Sequence, residues 1–227
     1  MTPEELRSYV YNITLLEDTA GNDAIINSYL EQGYYDICSA FDWQWMISAT
    51  PADIAVSDSI LAADLPTGFF KAISLWEPDR AIQLKPMSPS AAIAMYAGAG
   101  VSGTPMVYYI ADGQIVVKPI PDTAYTLKLD YYKFTPVDFT LTTAPPFEPA
   151  FHRAIAEFAI GKVWEQEEDF DRAEIYFGLF RDTLARMYSF YGDQTGGYPM
   201  IYGEPRTRVA RIPNTLANMP FGVDGLI

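Results

Sequence analysis

A chain of 227 residues with 49% apolar content is long enough to bury one large core or two small ones, which excludes global disorder. Fifteen basic against 29 acidic side chains leave a net charge of −14, a surface that repels nucleic acid and anionic membranes at long range and disfavours a sequence-reading DNA binder. The single cysteine, Cys38, excludes an intramolecular disulfide, and no apolar run approaches the ~20 residues of a membrane span.

The opening Met1-Thr2-Pro3-Glu4-Glu5 lacks the basic and apolar regions of a signal peptide, so the expectation is a protein made in a reducing cytoplasm. Thr2 can cap a helix, Pro3 suits its first position, and Glu5 completes a capping box. Leu6, Val10 and Ile13 then make an apolar stripe. A break at Thr19-Ala20-Gly21 predicts a second helix, capped by Asn22 or Asp23. Ile26, Leu30, Gly33, Ile37 and Ala40 recur at spacings of four and three, which puts them on one face. Cys38, beside Ile37 on that helix, reads as a buried inert thiol rather than a reactive one. Phe41, Trp43 and Trp45 close the segment with an aromatic cluster.

From Met46 the period changes, and Pro51, Pro66 and Pro78 argue against long helices. Phe69–Trp76 reads as a strand. Ser88 as cap and Pro89 at the first position predict a short helix to about Tyr96. The richest stretch is Gly103–Pro136. Met106–Ile110 and Gln114–Ile120 form a hairpin around Ala111-Asp112-Gly113, since Gly accepts the positive φ of a tight turn. Tyr125–Phe134 follows as a third strand, with Leu127, Leu129 and Tyr131 on one face and Lys128, Asp130 and Tyr132 on the other.

Pro136, Pro145, Pro146 and Pro149 mark the exit from these strands. Ala150–Glu168 predicts a helix whose apolar face is Phe151, Ile155, Phe158, Ala159 and Val163. Asp171 and Glu174 form a second capping box, which opens a helix to about Tyr191. Along it Ala173, Phe177, Phe180, Leu184, Met187 and Tyr191 keep a four-three rhythm that calls for an antiparallel partner. Residues 192–227 have Gly and Pro but no period, and are too apolar for a solvated linker.

The predicted fold is therefore α+β: a helical bundle of two N-terminal and two C-terminal helices, an inserted antiparallel β-domain, and an extended C-terminal arm. The expected boundaries are 1–45, 46–146, 147–191 and 192–227.

Few residues nominate themselves for chemistry. Gly98-Ala99-Gly100-Val101-Ser102-Gly103 matches a dinucleotide-loop pattern, but a helix precedes it and a strand follows, the reverse of the required order. His152 is the sole histidine, so a histidine triad or multi-histidine metal site is ruled out within one chain; it reads as a partly buried structural residue. Glu165, Glu167, Glu168, Asp169 and Asp171 could hold a divalent cation, but lack calcium-loop spacing and suit a solvated turn. Paired carboxylates for glycoside hydrolysis are not singled out among the 29 acids. Asn12-Ile13-Thr14 is a glycosylation triplet by chance. The 16 tyrosines could stack on sugars or bases, though patterning sends many into cores. No catalytic, cofactor-binding or metal-ligating residue is assigned.

The order of helix pair, strand-rich insert, helix pair and tail resembles the head-to-tail adaptor proteins of tailed bacteriophages, including the tail tubular protein A type of short-tailed phages. Three stretches carry the likeness: Asp64-Leu65-Pro66-Thr67-Gly68-Phe69 with Ser74-Leu75-Trp76; Ile115–Tyr132; and Phe151-His152-Arg153-Ala154-Ile155 with the Ala173–Leu184 helix. With the order of the elements, the likeness covers roughly residues 1–190. The resemblance implies a virion structural protein without enzymatic activity or cofactor. Such proteins form a ring, usually dodecameric, beneath the portal, extend the DNA channel for genome ejection and offer a platform to the tail. DNA passes without specific binding, and no membrane is involved.

On this reading Arg206, Arg208, Arg211, Ile212, Leu216, Met219 and Phe221 of the arm dock on the portal protein, and the β-domain meets the tail or nozzle. The alternatives are a carbohydrate-binding or carbohydrate-cleaving module of a phage tail, or another virion part such as a tail terminator.

Overall fold

The computed structural model describes residues 1–17, 19–96, 101–141 and 143–192. Among the described residues, five α-helices and nine strands run in the order α1 (Pro3–Thr14), α2 (Ala20–Ala40), β1 (Ala52–Val56), β2 (Ala62–Asp64), β3 (Phe69–Glu77), β4 (Ile82–Pro86), α3 (Pro89–Met95), β5 (Ser102–Gly103), β6 (Val107–Ala111), β7 (Gln114–Lys118), β8 (Ile120–Pro121), β9 (Tyr125–Lys133), α4 (Arg153–Gln166) and α5 (Phe170–Gly192). The chain is α+β and divides into two compact units. One comprises Met1–Gln44 with the described residues from Pro136 onward, and the other is Trp45–Thr135.

In the helical unit, α1 starts on the expected capping box: Thr2 accepts the Glu5 N–H at 3.3 Å and Glu5 accepts the Thr2 N–H at 2.9 Å. Its buried face is Pro3, Leu6, Val10 and Thr14, while the expected Ile13 is half-buried. The stripe continues four residues beyond Val10, and the Thr14 hydroxyl is satisfied by donating to the Val10 carbonyl at 2.9 Å. For α2 the cap is Thr19, not Asn22 or Asp23. Its hydroxyl accepts the Asn22 N–H, so Ala20 and Gly21 lie inside the first turn rather than forming a break. Asp23 then sits at the positive end of the helix and accepts the Tyr11 hydroxyl at 2.9 Å.

The expected helix at Ala150 begins instead as a single 3-10 turn, Pro149–Phe151, with α4 following it. Nor does α4 have one apolar face: Ala154, Ile155, Ala156, Glu157, Phe158, Ala159, Ile160, Gly161 and Val163 are all buried. The reason is its central place, since it packs against α1, α2 and α5. A helix covered on several sides loses the amphipathic period.

At the start of α5 the cap is Asp169 rather than Asp171. Its carboxylate accepts the Arg172 N–H at 3.1 Å and its carbonyl accepts the Ala173 N–H at 3.0 Å, two residues earlier than the capping-box pattern suggests. Phe158 meets Phe177 and Phe180, Glu157 meets Thr183, and Phe151 meets Phe190, so α4 and α5 run antiparallel. Phe180, Leu184 and Met187 are buried in this seam, as their spacing predicts. Beyond Pro136, Phe139 and Phe147 flank the ring of Tyr34 at centroid distances of 6.2 and 6.4 Å.

The β unit is a seven-stranded sheet in the order β1-β9-β3-β4-β6-β7-β2. Every neighbouring pair is antiparallel except β4 and β6. That parallel pair corrects the expectation of an all-antiparallel insert: α3 lies in the crossover that parallel neighbours require. α3 itself has the expected cap, with Ser88 accepting the Ala91 N–H and Pro89 in the first turn. The β6–β7 connection is a two-residue turn in which both Asp112 (φ 50) and Gly113 (φ 74) take positive φ. That is the signature of a type I′ hairpin. In β9 the alternation holds, with Tyr125, Leu127, Leu129 and Tyr131 buried among Ile54, Val56, Leu75, Leu84, Ile115 and Val117. The sheet bends until its two edge strands, β1 and β2, approach each other, and Ser57 and Ile60 close the turn between them.

Candidate functional site

Among the described residues, His152 and Cys38 are held in structural surroundings. His152 is 1% exposed at the start of α4. Its Nε2 donates to the Phe147 carbonyl at 2.9 Å, and its Nδ1 faces the Met1 backbone. It ties the approach to α4 to the start of α1. It is fully rather than partly buried, because the Phe147 ring also stands edge-on to it at 5.1 Å. Cys38 is buried beside Tyr34, and burial pushes its thiol up to about 12, so little thiolate exists near neutrality. The Tyr34 hydroxyl is likewise raised by burial first and by Cys38 second.

Sequence reasoning did not single out Glu157. It is 3% exposed in the middle of α4. Arg153 Nε lies 3.0 Å from Oε1, the Thr183 hydroxyl donates to Oε2 at 3.0 Å, and Arg186 donates to the same hydroxyl at 3.2 Å. Burial raises the carboxyl above the usual range; Thr183, Arg153 and Arg186 oppose that shift, and Asp182 adds to it. A signal was present in principle. Glu157 lies one position before Phe158 and two after Ile155, inside a run with no other charge between Arg153 and Lys162. The arrangement joins α4 to α5 and stays fully hydrogen-bonded; it has the form of a structural clasp.

The acidic run at the α4–α5 turn is spread along a solvated connection. Glu165 pairs with Lys162 at 2.7 Å and Asp169 with Arg172 at 3.2 Å. Among the described residues no group of three or more His, Cys, Asp or Glu could hold a metal ion. The loop with the dinucleotide-like pattern falls partly on residues 97–100, outside the described residues; its described end, Ser102–Gly103, pairs with Ile120–Pro121. Along the chain α3 precedes the loop and β6 follows it, the order inferred from sequence. A shallow cleft between α2 and α4 is lined by Leu16, Asn22, Ile25, Ile26, Val163, Gln166 and Glu167.

The solvent side of the sheet is polar and cross-linked. Asp130 accepts the Ser74 hydroxyl at 2.6 Å and the Trp76 indole N–H at 3.2 Å, and Lys128 pairs with Asp53 on β1. Where β3 turns into β4, buried Glu77 accepts the N–H groups of Asp79 and Arg80 at 3.1 and 2.7 Å. Arg80 then reaches Thr104 and the Tyr125 hydroxyl, which donates to Asp122 at 2.6 Å. These contacts fix loops and strands in place.

The arm residues expected to dock on a partner, Arg206, Arg208, Arg211, Ile212, Leu216, Met219 and Phe221, all lie outside the described residues. A family model described as SU10 adaptor protein matches residues 5–206, a span that covers both units and reaches the first of the three arm arginines. No curated protein matches the chain.

Proposed function

This chain belongs to the SU10 adaptor protein family, a family of phage structural adaptors, and on that premise we propose that it is the head-to-tail adaptor of a tailed bacteriophage virion. The carrying observation is the length of the family match, which runs through helical and β units alike rather than through one of them. In this reading α1, α2, α4 and α5 form a helical bundle, and copies of the chain assemble side by side into a dodecameric ring beneath the portal. The ring extends the DNA channel and presents the β unit to the tail. A net charge of −14 suits a channel wall that DNA must pass without sticking.

The arm from Gly203 onward docks the ring on the portal. Its 25 residues, when extended, reach up to roughly 80–90 Å. Arg206, Arg208 and Arg211 set its register on acidic grooves, and Ile212, Leu216, Met219 and Phe221 fill apolar pockets. The test is co-assembly with portal rings, followed by particle mass and electron microscopy. The full chain forms a closed ring on the portal, and a chain ending at Tyr202 keeps its circular dichroism and melting but fails to dock. Normal docking by the truncated chain overturns the role of the arm. A full chain that never joins the portal overturns the adaptor reading.

A further inference from the structure

The end of α5 carries an aromatic ledge. Phe41 and Trp43 come from the residues after α2, Phe151 from the 3-10 turn before α4, and Tyr188, Phe190 and Tyr191 from the last turns of α5. Their rings form one connected set, with centroids 4.7 Å apart for Phe41–Tyr188, 4.9 Å for Phe190–Tyr191, 5.1 Å for Phe41–Trp43 and 5.5 Å for Phe151–Phe190. Trp43 is buried beneath, whereas Phe190 is 54% exposed and Phe41, Phe151, Tyr188 and Tyr191 are half-buried. A continuous aromatic surface of this kind marks a place where something binds.

We propose that the ledge is the seat of the chain's own segment Tyr198-Pro199-Met200-Ile201-Tyr202. Three observations select this occupant. The chain leaves α5 at Gly192, beside the ledge, and only residues 193–197 separate it from Tyr198. Five residues reach up to roughly 16–18 Å, enough to turn back over a helix end, and Gly196-Gly197 supplies the backbone freedom for that turn. The chemistry also matches. The segment has no charge and offers two phenol rings, a proline, a thioether and a branched aliphatic to an aromatic surface. The arginines begin only at Arg206, so a seat for 198–202 fixes where the charged arm departs.

The experiment uses the full chain without any portal, so its outcome is separate from that of the adaptor reading. Chymotryptic cleavage after Tyr202 is timed in the intact protein and in a free peptide of residues 193–227. Seating slows cleavage by at least about tenfold relative to the peptide, because proteolysis follows the open population. Phe190→Ser on the ledge restores the peptide rate, and Ile201→Asp on the segment restores the rate of a free peptide that carries the same substitution. Should Phe190→Ser fail to fold by circular dichroism, Ile201→Asp decides alone, since the ledge is intact in it. Equal rates for wild-type protein and peptide overturn the proposal. So does protection that survives Ile201→Asp, or protection that grows with protein concentration, which assigns the ledge to a second copy.

Discussion

The two units are stabilised on different terms. Among the described residues, the core of the β unit is almost wholly apolar, with Glu77 its single buried charged or polar member. The helical unit buries Thr14, Asn27, His152, Glu157 and Thr183. In a sheet the backbone ladder and the alternation of side chains already fix the register, because a slip of one residue turns every apolar group outward. Helices that meet through apolar side chains alone can slide and rotate past each other at small cost. A hydrogen-bonded clasp such as Arg153–Glu157–Thr183–Arg186 between α4 and α5 supplies a discrete register instead.

The sharpest way to probe this contrast is to remove apolar volume from each side. Phe158→Ala empties the space between Gly33, Phe177 and Phe180, and it should cost about 3–5 kcal/mol in urea unfolding. Leu184→Ala in the same seam and Leu129→Ala in the sheet should each cost about 2–5 kcal/mol. Losses below about 1 kcal/mol would mean these positions are not the closed interiors described here.

Next in size is the clasp. Glu157→Ala should cost about 1–3 kcal/mol, as it leaves the Thr183 hydroxyl without its acceptor. Glu157→Met, which fills the same space without charge, should be close to neutral in stability. The informative result is loss of a single side-chain arrangement, read as broadened methyl and aromatic NMR signals. Equal sharpness in wild type and Glu157→Met would remove the argument for register.

The same residue predicts a pH dependence. Its folded-state pKa is raised above the ordinary 4.5, so between those values the native state holds a proton that the unfolded chain has released. This group's contribution to stability therefore falls as pH rises from about 4.5 through the folded value. Charged and titratable neighbours around it are Arg153, Arg186, Asp182 and Tyr9. Comparing melting of wild type and Glu157→Gln from pH 4 to 7 isolates the effect, since the variant lacks that slope.

Caps and surface pairs come last. Asp169→Ala should cost about 1 kcal/mol and Asp171→Ala much less, which separates the true cap of α5 from its neighbour. Lys128→Met, at a pair on the exposed sheet face, should change stability by about 1 kcal/mol or less.

What could be read from the sequence followed local physics. Thr2 with Glu5, Ser88 with Pro89, and Asp112-Gly113 act within a few residues of themselves, and each fell in its expected place. The period-two pattern of β9 and the four-three pattern of α5 were also legible, because each element has one buried face. The family resemblance rested on the order of such elements. What escaped depended on distant partners. β2 is Ala62-Ala63-Asp64, a poor strand former that exists by pairing with β7. β4 lies beside β6 only through the crossover over α3. The all-round burial of α4, and with it the role of Glu157, is set by three other helices. Phe139 and Phe147 lie in a proline-marked stretch without period, yet they cover Tyr34.

The bend of the sheet has a consequence for how its margins can meet another chain. An open sheet ends in a row of unused peptide groups, and identical neighbours at high local concentration are the best templates for pairing with them. Here the strands that would be those margins, β1 and β2, are folded toward one another and joined by a short turn. β2 is only three residues long, and β1 carries Asp53, paired to Lys128, on its outer side. Lateral growth by strand addition is thereby discouraged, which leaves recognition on this unit to side chains rather than to peptide groups.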